Sequence, residues 1–391
     1  MPTNIVILFS DTGGGHRSAG EAIAEALRAQ HGAEARIQMV DVLRTYAPWP
    51  IRLAPDIYPA WSEQRWLWKT CYQVSNGRTR SMLIASLWWP LVAPAALRLG
   101  RDYPADLYIS VHPLFLTPLA ETLGKRLPMY LNVVTDLVTI HGWWCHPQSD
   151  LVTAPSEPAR QAIVHHGYPA DKVRVVGLPV ASRFCTPSGN KAQLRAKLGW
   201  GNDRPILVVV GGGEGMGPIF DIAQAVSASG LECELVVVAG RNAALRQRLE
   251  AAAWNVPVHI YGFTTDMPDF MCAADVLVTK AGPGTISEAF NAGLPMVLYD
   301  FLPGQEEGNV GYVVDAGAGV WAPDAAAVVN ALRRWIGPEA DPNALSAAAA
   351  SAHRLGRPEA AVRIAEIAWQ MAQEQRVPQV RRRRPRVRLA Q

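Results

Sequence analysis

Ile5–Ser10 (IVILFS), the turn Asp11–Gly15 (DTGGG) and His16–Gln30 (HRSAGEAIAEALRAQ) decide the fold. The apolar run reads as a strand buried on both sides. After the turn, Ala19, Ile23, Ala26 and Leu27 recur at helical spacing, and Gly32 marks the stop. Strand, glycine turn and helix are the opening of a βα series. Leu107–Val111, Met129–Val134, Leu151–Ala154 and Val173–Val176 continue it as further strands. Gly177–Pro179 and the polar stretch Ser182–Asp203 then read as a connection. A second series follows, with strands at Pro205–Val210, Glu234–Ala239, Val258–Tyr261, Val276–Thr279 and Pro295–Tyr299. The expectation is α/β: two doubly wound domains with a ligand cleft between them, at the carboxyl ends of both sheets.

The bulk numbers agree. A chain of 391 residues is too long for one ordinary core and comfortable for two. Half of it is apolar and 18% is charged, which excludes a disordered chain. Five scattered cysteines, with no CxxC pair, point to a reducing cytoplasm. With no basic n-region ahead of the first strand, no secretory signal is expected. Seven arginines and no acid lie in 376–391, a tail that seeks an anionic partner. The body has no basic stripe or nucleic-acid module, so anionic lipid is preferred and no nucleic acid is expected.

Residues 48–100 interrupt the βα pattern and hold six of the 13 tryptophans: Trp49, Trp61, Trp66, Trp68, Trp88 and Trp89. The uncharged window Met82–Leu97 contains Pro90 and Pro94 and falls short of the roughly 20 residues of a helical span. Trp together with Lys69, Arg78, Arg80 and Arg98 suits a segment lying among lipid headgroups; a Trp-rich core insertion is the alternative.

Four constellations carry chemistry. In Ser10–His16, glycines let backbone approach a ligand, and His16 at the helix start is a candidate base for an attacking hydroxyl. The turn is neither a dinucleotide fingerprint, since Ser18 stands at the third glycine position, nor a P-loop. Gly211–Gly217 (GGGEGMG) follows the first strand of the second series and suits a phosphate or sugar. In Lys280–Glu288 (KAGPGTISE), the N–H groups of Gly284, Thr285 and Ile286 suit a diphosphate, and Glu288 can accept both ribose hydroxyls. Pro303–Asn309 (PGQEEGN) gathers groups that suit sugar hydroxyls. No Asp-x-Asp metal clamp occurs, and His141, Cys145 and His146 lack a fourth ligand for zinc.

With these motifs set out, the sequence resembles the monogalactosyldiacylglycerol synthase and processive diacylglycerol glucosyltransferase group of glycosyltransferase family 28. These are relatives of the peptidoglycan N-acetylglucosaminyltransferase. The resemblance spans roughly residues 4–370. It rests on SDTGGGHRSAGEAI at 10–23, VVTDLVTIH at 133–141, VGLPV at 176–180 and VGGGEGMGP at 210–218. YGFTTDM at 261–267, KAGPGTISEA at 280–289 and PGQEEGNVGYVVDAGAG at 303–319 complete it. It implies the GT-B fold, an inverting reaction, no catalytic metal and no cofactor. The substrates it implies are UDP-galactose or UDP-glucose as donor and diacylglycerol as acceptor.

By the same match His16 is the general base and Asp136 the carboxylate that orients it. Gly14, Gly15 and His141 face the acceptor. Gly213, Glu214 and Gly215 line the donor, the backbone of Phe263 contacts the uracil, and Gly284, Thr285 and Ile286 cradle the diphosphate. Glu288 clamps the ribose, and Gln305, Glu306 and Asn309 read the hexose. Gly142 and Trp143 depart from the proline and threonine that often follow the histidine in the family.

The expected domains are an acceptor- and membrane-facing domain at 1–180, a linker at 181–203, a nucleotide-sugar domain at 204–374 and a basic tail at 375–391. The expected location is peripheral, at the cytoplasmic face of the cell membrane. A peptidoglycan-type UDP-GlcNAc transferase acting on a polyprenyl-linked acceptor, a UDP-sugar 2-epimerase, and a non-catalytic lipid- or nucleotide-binding protein are the competing readings.

Overall fold

Strand formation follows the Val/Ile/Leu runs. In β1 (Thr3–Phe9), Ile5, Ile7 and Phe9 enter one core with Ile23 and Leu27, while Val6 and Leu8 enter another with Leu99, Leu116 and Leu119. Alternate residues thus serve opposite faces, and both faces are covered by helices, as a parallel sheet requires. The computed structural model describes residues 2–12, 14–49 and 51–376.

The chain divides into two compact units. The first takes residues up to Ala181, Pro303–Gln305 and the chain from Glu359; the second takes Ser182–Leu302 and Glu306–Pro358. In the first, β1 is joined by β2 (Ala35–Asp41), β3 (Leu107–Ser110), β4 (Met129–Val133), β5 (Leu151–Ala154) and β6 (Val173–Val175). Their order is β2-β1-β3-β4-β5-β6, all parallel. In the second lie β7 (Ile206–Val210), β8 (Glu234–Val238), β9 (Val258–Tyr261), β10 (Val276–Lys280), β11 (Met296–Asp300) and β12 (Gly319–Trp321). Their order is β12-β11-β10-β7-β8-β9, again parallel. Both are doubly wound, and each has a switch point where the strand order reverses: β1/β3 in the first, β7/β10 in the second.

Two boundaries differ from the sequence reading. Helix Ala360–Arg376 belongs to the first unit, not to a domain reaching 374. Its Ile364, Ala365 and Ala368 are buried in the β1 core, and Trp369 stacks on His31 with ring centroids 3.9 Å apart. The stretch 181–203 is no linker. It holds helix Lys191–Leu198, with an Asn190–Gln193 capping box, and buried Arg195 pairs with Asp275 at 2.6 Å. The tail 377–391 lies outside the described residues.

The insertion forms helices Ala54–Glu63, Arg65–Ser75 and Arg78–Asp102. The last extends the short apolar window to 25 residues, and Pro90 and Pro94 lie inside it without ending it. By length and composition it is one helix able to cross a membrane, contrary to the expectation from the 16-residue window. Ala95, Ala96 and Leu99 nevertheless pack into the first unit, against helix Leu116–Leu123.

Candidate functional site

The loops after β1, β3 and β4 meet at the first switch point. Gly14 has φ +77°, which glycine alone adopts at little cost, and no atom stands within 4 Å of where a side chain would begin on Gly14 or Gly15. That open backbone leads into helix Gly15–His31, and His16 sits in its first turn. The imidazole Nδ1 lies 2.8 Å from the Val111 carbonyl oxygen and 2.9 Å from Thr135 Oγ1. A carbonyl only accepts, so Nδ1 carries the hydrogen and Nε2 keeps its lone pair. Burial pulls the ring's pKa down to about 4, opposed by the Val111 bond, so it is neutral at pH 7.

A second imidazole, His112, packs edge-on at 4.6 Å. Its Nδ1 accepts from the Leu114 N–H at 3.3 Å, so Nε2 donates to Thr12 Oγ1 at 3.1 Å. Burial and the neighbouring His16 hold it well below the usual histidine range.

Asp136 was expected to orient His16. The ring's Nδ1 is instead held by Val111 and Thr135, because the β3 loop and the residue after Val134 reach it first. Asp136 accepts from Trp144 Nε1 at 2.6 Å and from Gln305 Nε2 at 3.0 Å. Trp144 is fully buried, with its ring 6.4 Å from that of His16. Gln305, expected to read the hexose, is thus placed on Asp136.

His141 does not line an open acceptor surface. It is buried, accepts from Trp143 N–H at Nδ1, and donates from Nε2 to Ser75 Oγ at 3.1 Å, tying the β4 loop to helix Arg65–Ser75. Gly142 is explained by the same contact. A side-chain carbon there would stand 2.6 Å from Ser81 Oγ and 3.0 Å from the Gly77 backbone, so the loop closes on the insertion only with glycine.

In the second unit the loops after β7 and β10 flank the switch point. The glycines of 211–217 serve the turn itself before they serve any ligand. A Cβ on Gly211 would lie 1.9 Å from the Met216 carbonyl oxygen, and one on Gly215 (φ +63°) 2.0 Å from that of Ala239. Glu214 pairs with Arg241 at 2.7 Å, and the Arg241 guanidinium lies 4.2 Å over the Phe263 ring. Phe263 is 56% exposed.

Helix Pro283–Asn291 opens after β10. The Ile286 N–H bonds the Gly282 carbonyl and its side chain is buried, so of the three expected diphosphate contacts Ile286 is committed to the helix itself. Around Gly284 no atom comes within 4 Å of a would-be side chain. Glu288, one turn on, is raised to about 7 by burial, with Arg183 acting against it. If Glu288 takes the ribose as expected, only its ionised form accepts from both hydroxyls, and affinity for a uridine nucleotide should then fall as pH drops through about 7. Titration of that affinity should show the inflection in the wild type and a flat line in Glu288→Gln.

Glu306 and Asn309, expected to read the hexose, are both buried. Glu306 is 6% exposed, accepts from Lys280 Nζ at 2.9 and 3.2 Å and from the Leu302 N–H at 2.8 Å. Asn309, 1% exposed, donates to the Ala281 carbonyl at 2.9 Å. Both polar groups pin the β10 and β11 loops together, because a buried carboxylate and amide need those partners. Among the described residues, no group of three or more His, Cys, Asp or Glu side chains is placed to hold a metal ion. Thr135, Val111, His112, Trp144 and Arg241 were not singled out in the sequence. Only Thr135 carried a signal, as the neighbour of Asp136.

Comparison with known proteins identifies the scaffold. The model for monogalactosyldiacylglycerol (MGDG) synthase matches residues 16–180, and that for the glycosyltransferase family 28 C-terminal domain matches 206–364. A probable monogalactosyldiacylglycerol synthase 3, chloroplastic, from Oryza sativa subsp. japonica is 36% identical over 96% of this chain and 75% of its own length. Monogalactosyldiacylglycerol synthase 2, chloroplastic, from Arabidopsis thaliana is 36% identical over 91% of this chain and 78% of its own. Among solved structures, Acinetobacter baumannii MurG superimposes with a TM-score of 0.60 at 15% identity, covering 94% of this chain and 99% of that one. The chloroplastic names of these relatives overturn the location at the cell membrane's cytoplasmic face read from the sequence. Two Rossmann-like halves with a GT-B neighbour, and matches across both halves, place this chain in the monogalactosyldiacylglycerol synthase family of glycosyltransferases.

Proposed function

We propose that the chain transfers galactose from UDP-galactose to the free hydroxyl of diacylglycerol, in a single inverting displacement that uses neither metal nor cofactor. The observation that carries this reading is His16, a neutral imidazole whose Nδ1–H is committed to the Val111 carbonyl, beside open glycine backbone. Nε2 takes the proton of the lipid hydroxyl as its oxygen bonds to C1 of the sugar. The bond from C1 to the diphosphate oxygen breaks, and UDP leaves with the electron pair. Gly284 and Thr285 N–H groups, at a helix N-terminus, stabilise the charge that develops on the diphosphate. The family of relatives, named for galactose and diacylglycerol, supports both substrates.

The test is to incubate enzyme in EDTA with diacylglycerol and labelled UDP-galactose or UDP-glucose, then extract the lipid. Label from UDP-galactose in a β-linked monohexosyl lipid is the expected result. A product with the donor's own anomeric configuration, or turnover restored only by a divalent ion, would refute the mechanism.

An acceptor dissolved in lipid requires the enzyme to reach a lipid surface. Trp66, Leu83, Leu87, Trp88 and Leu91 of the insertion are exposed, a concentration of apolar surface that water disfavours. Lys69, Arg80 and Arg98 beside them suit anionic headgroups. Replacing both Leu87 and Trp88 with serine should lower activity on diacylglycerol in anionic vesicles about tenfold or more. The same variant should retain activity on a short-chain, water-dispersed diacylglycerol. Equal losses on both would exclude this surface role.

A further inference from the structure

Three adjacent strand ends in the second unit, those of β7, β8 and β9, are tied together by one side chain. Arg241, just beyond β8, takes the Gly213 carbonyl with its backbone N–H at 2.9 Å. Its guanidinium pairs with Glu214 of the β7 loop at 2.7 Å and lies 4.2 Å over Phe263 of the β9 loop. Exposed ion pairs of this kind stabilise a fold little. Phe263 is itself largely exposed, so the arrangement buries little apolar surface either. Its place is therefore accounted for better by a ligand site than by stability of the fold. One face of the ring is covered by a cation and the remaining exposed surface is open to a planar partner. The location agrees: in a doubly wound sheet ligands bind outside the carboxyl ends of the strands at the switch point, here β7/β10, and β8 and β9 are the next strands beside β7. The pairing also neutralises the one carboxylate in a glycine turn that borders an anionic diphosphate.

We propose that Arg241 is a positioning residue of the donor site, holding the Phe263 ring and the 211–217 turn in the conformation that receives the uridine. The inference rests on the donor reading above. The guanidinium acts through the ring and the turn; it does not itself bind the diphosphate. Base–aromatic stacking supplies roughly tenfold in affinity per base or more. Cation–π contact with the covered face holds the ring flat for it.

Calorimetry with UDP and with inorganic pyrophosphate separates the possibilities. Arg241→Ala and Phe263→Leu should each weaken UDP about tenfold and leave pyrophosphate affinity unchanged. The double variant should be no weaker than either single variant, because both changes act on one ring. Arg241→Lys, which keeps a cation over the ring, should recover part of the loss. In steady-state kinetics the loss should fall on KM and leave kcat within about twofold. Equal loss of UDP and pyrophosphate would show that the guanidinium binds the diphosphate directly and overturn the proposal. So would full additivity in the double variant, or wild-type UDP affinity in Arg241→Ala. A wild-type protein that binds no UDP at all would instead remove the donor reading on which the inference stands.

Discussion

Replacing His16 with alanine is expected to cut kcat by about 10²–10⁴, the usual contribution of a positioned general base, with affinity for UDP retained. The ring's surroundings give this its force. Val111 and Thr135 hold Nδ1, His112 packs edge-on, and the lone pair on Nε2 is the group left for chemistry. Retained UDP affinity follows because the proposed UDP contacts, Gly284, Thr285, Glu288 and Phe263, belong to the second unit and His16 to the first. The pH dependence separates the two roles. A base whose pKa is lowered to about 4 stays neutral down to about pH 5, so kcat should be flat there and fall only below it. Apparent donor affinity should fall earlier, near pH 7, through Glu288. A kcat inflection near the ordinary histidine value would show that the ring is not held as described.

Glu306→Ala should destabilise the second unit by about 3 kcal/mol. This is the lower end of the cost of breaking a buried pair, because the Lys280 side chain is about a quarter exposed. The carboxylate holds both the Lys280 ammonium and the Leu302 N–H, and its loss strands both. Urea unfolding followed by circular dichroism measures the effect as a lower midpoint. Glu306→Gln, which keeps an acceptor for the N–H, should lie between. Should Glu306 read the sugar instead, Glu306→Ala would unfold like the wild type and alter only the discrimination between galactose and glucose.

Much of the architecture is legible along the chain because parallel strands buried on both faces leave unbroken Val/Ile/Leu runs. Two edge strands escaped. In Ala35–Asp41 only Val40 is buried, and Gly319–Trp321 is three residues long, so neither forms such a run. Helix Ala360–Arg376 shows a clear apolar stripe, but periodicity says that a face is buried and not against which sheet. Glycine-rich turns and His16 could be picked out because their residue types are unusual beside a strand. The partners of His16 could not, since a backbone carbonyl and a threonine 119 positions away leave no local mark. Three of the expected site residues prove to be buried, for one cause. Glu306, Asn309 and His141 are polar side chains in loops, where sequence suggests solvent or ligand, and burial with hydrogen-bond partners is a tertiary fact.

Acceptor dependence of UDP release is the most direct measurement of the central claim. Purified protein is given UDP-galactose with and without diacylglycerol, and UDP, sugar nucleotide and lipid are each quantified. Release of UDP only when diacylglycerol is present, matched one for one by galactolipid and lost in His16→Ala, is the expected result. Conversion of the sugar nucleotide without acceptor, or UDP release that yields no galactolipid, would contradict it.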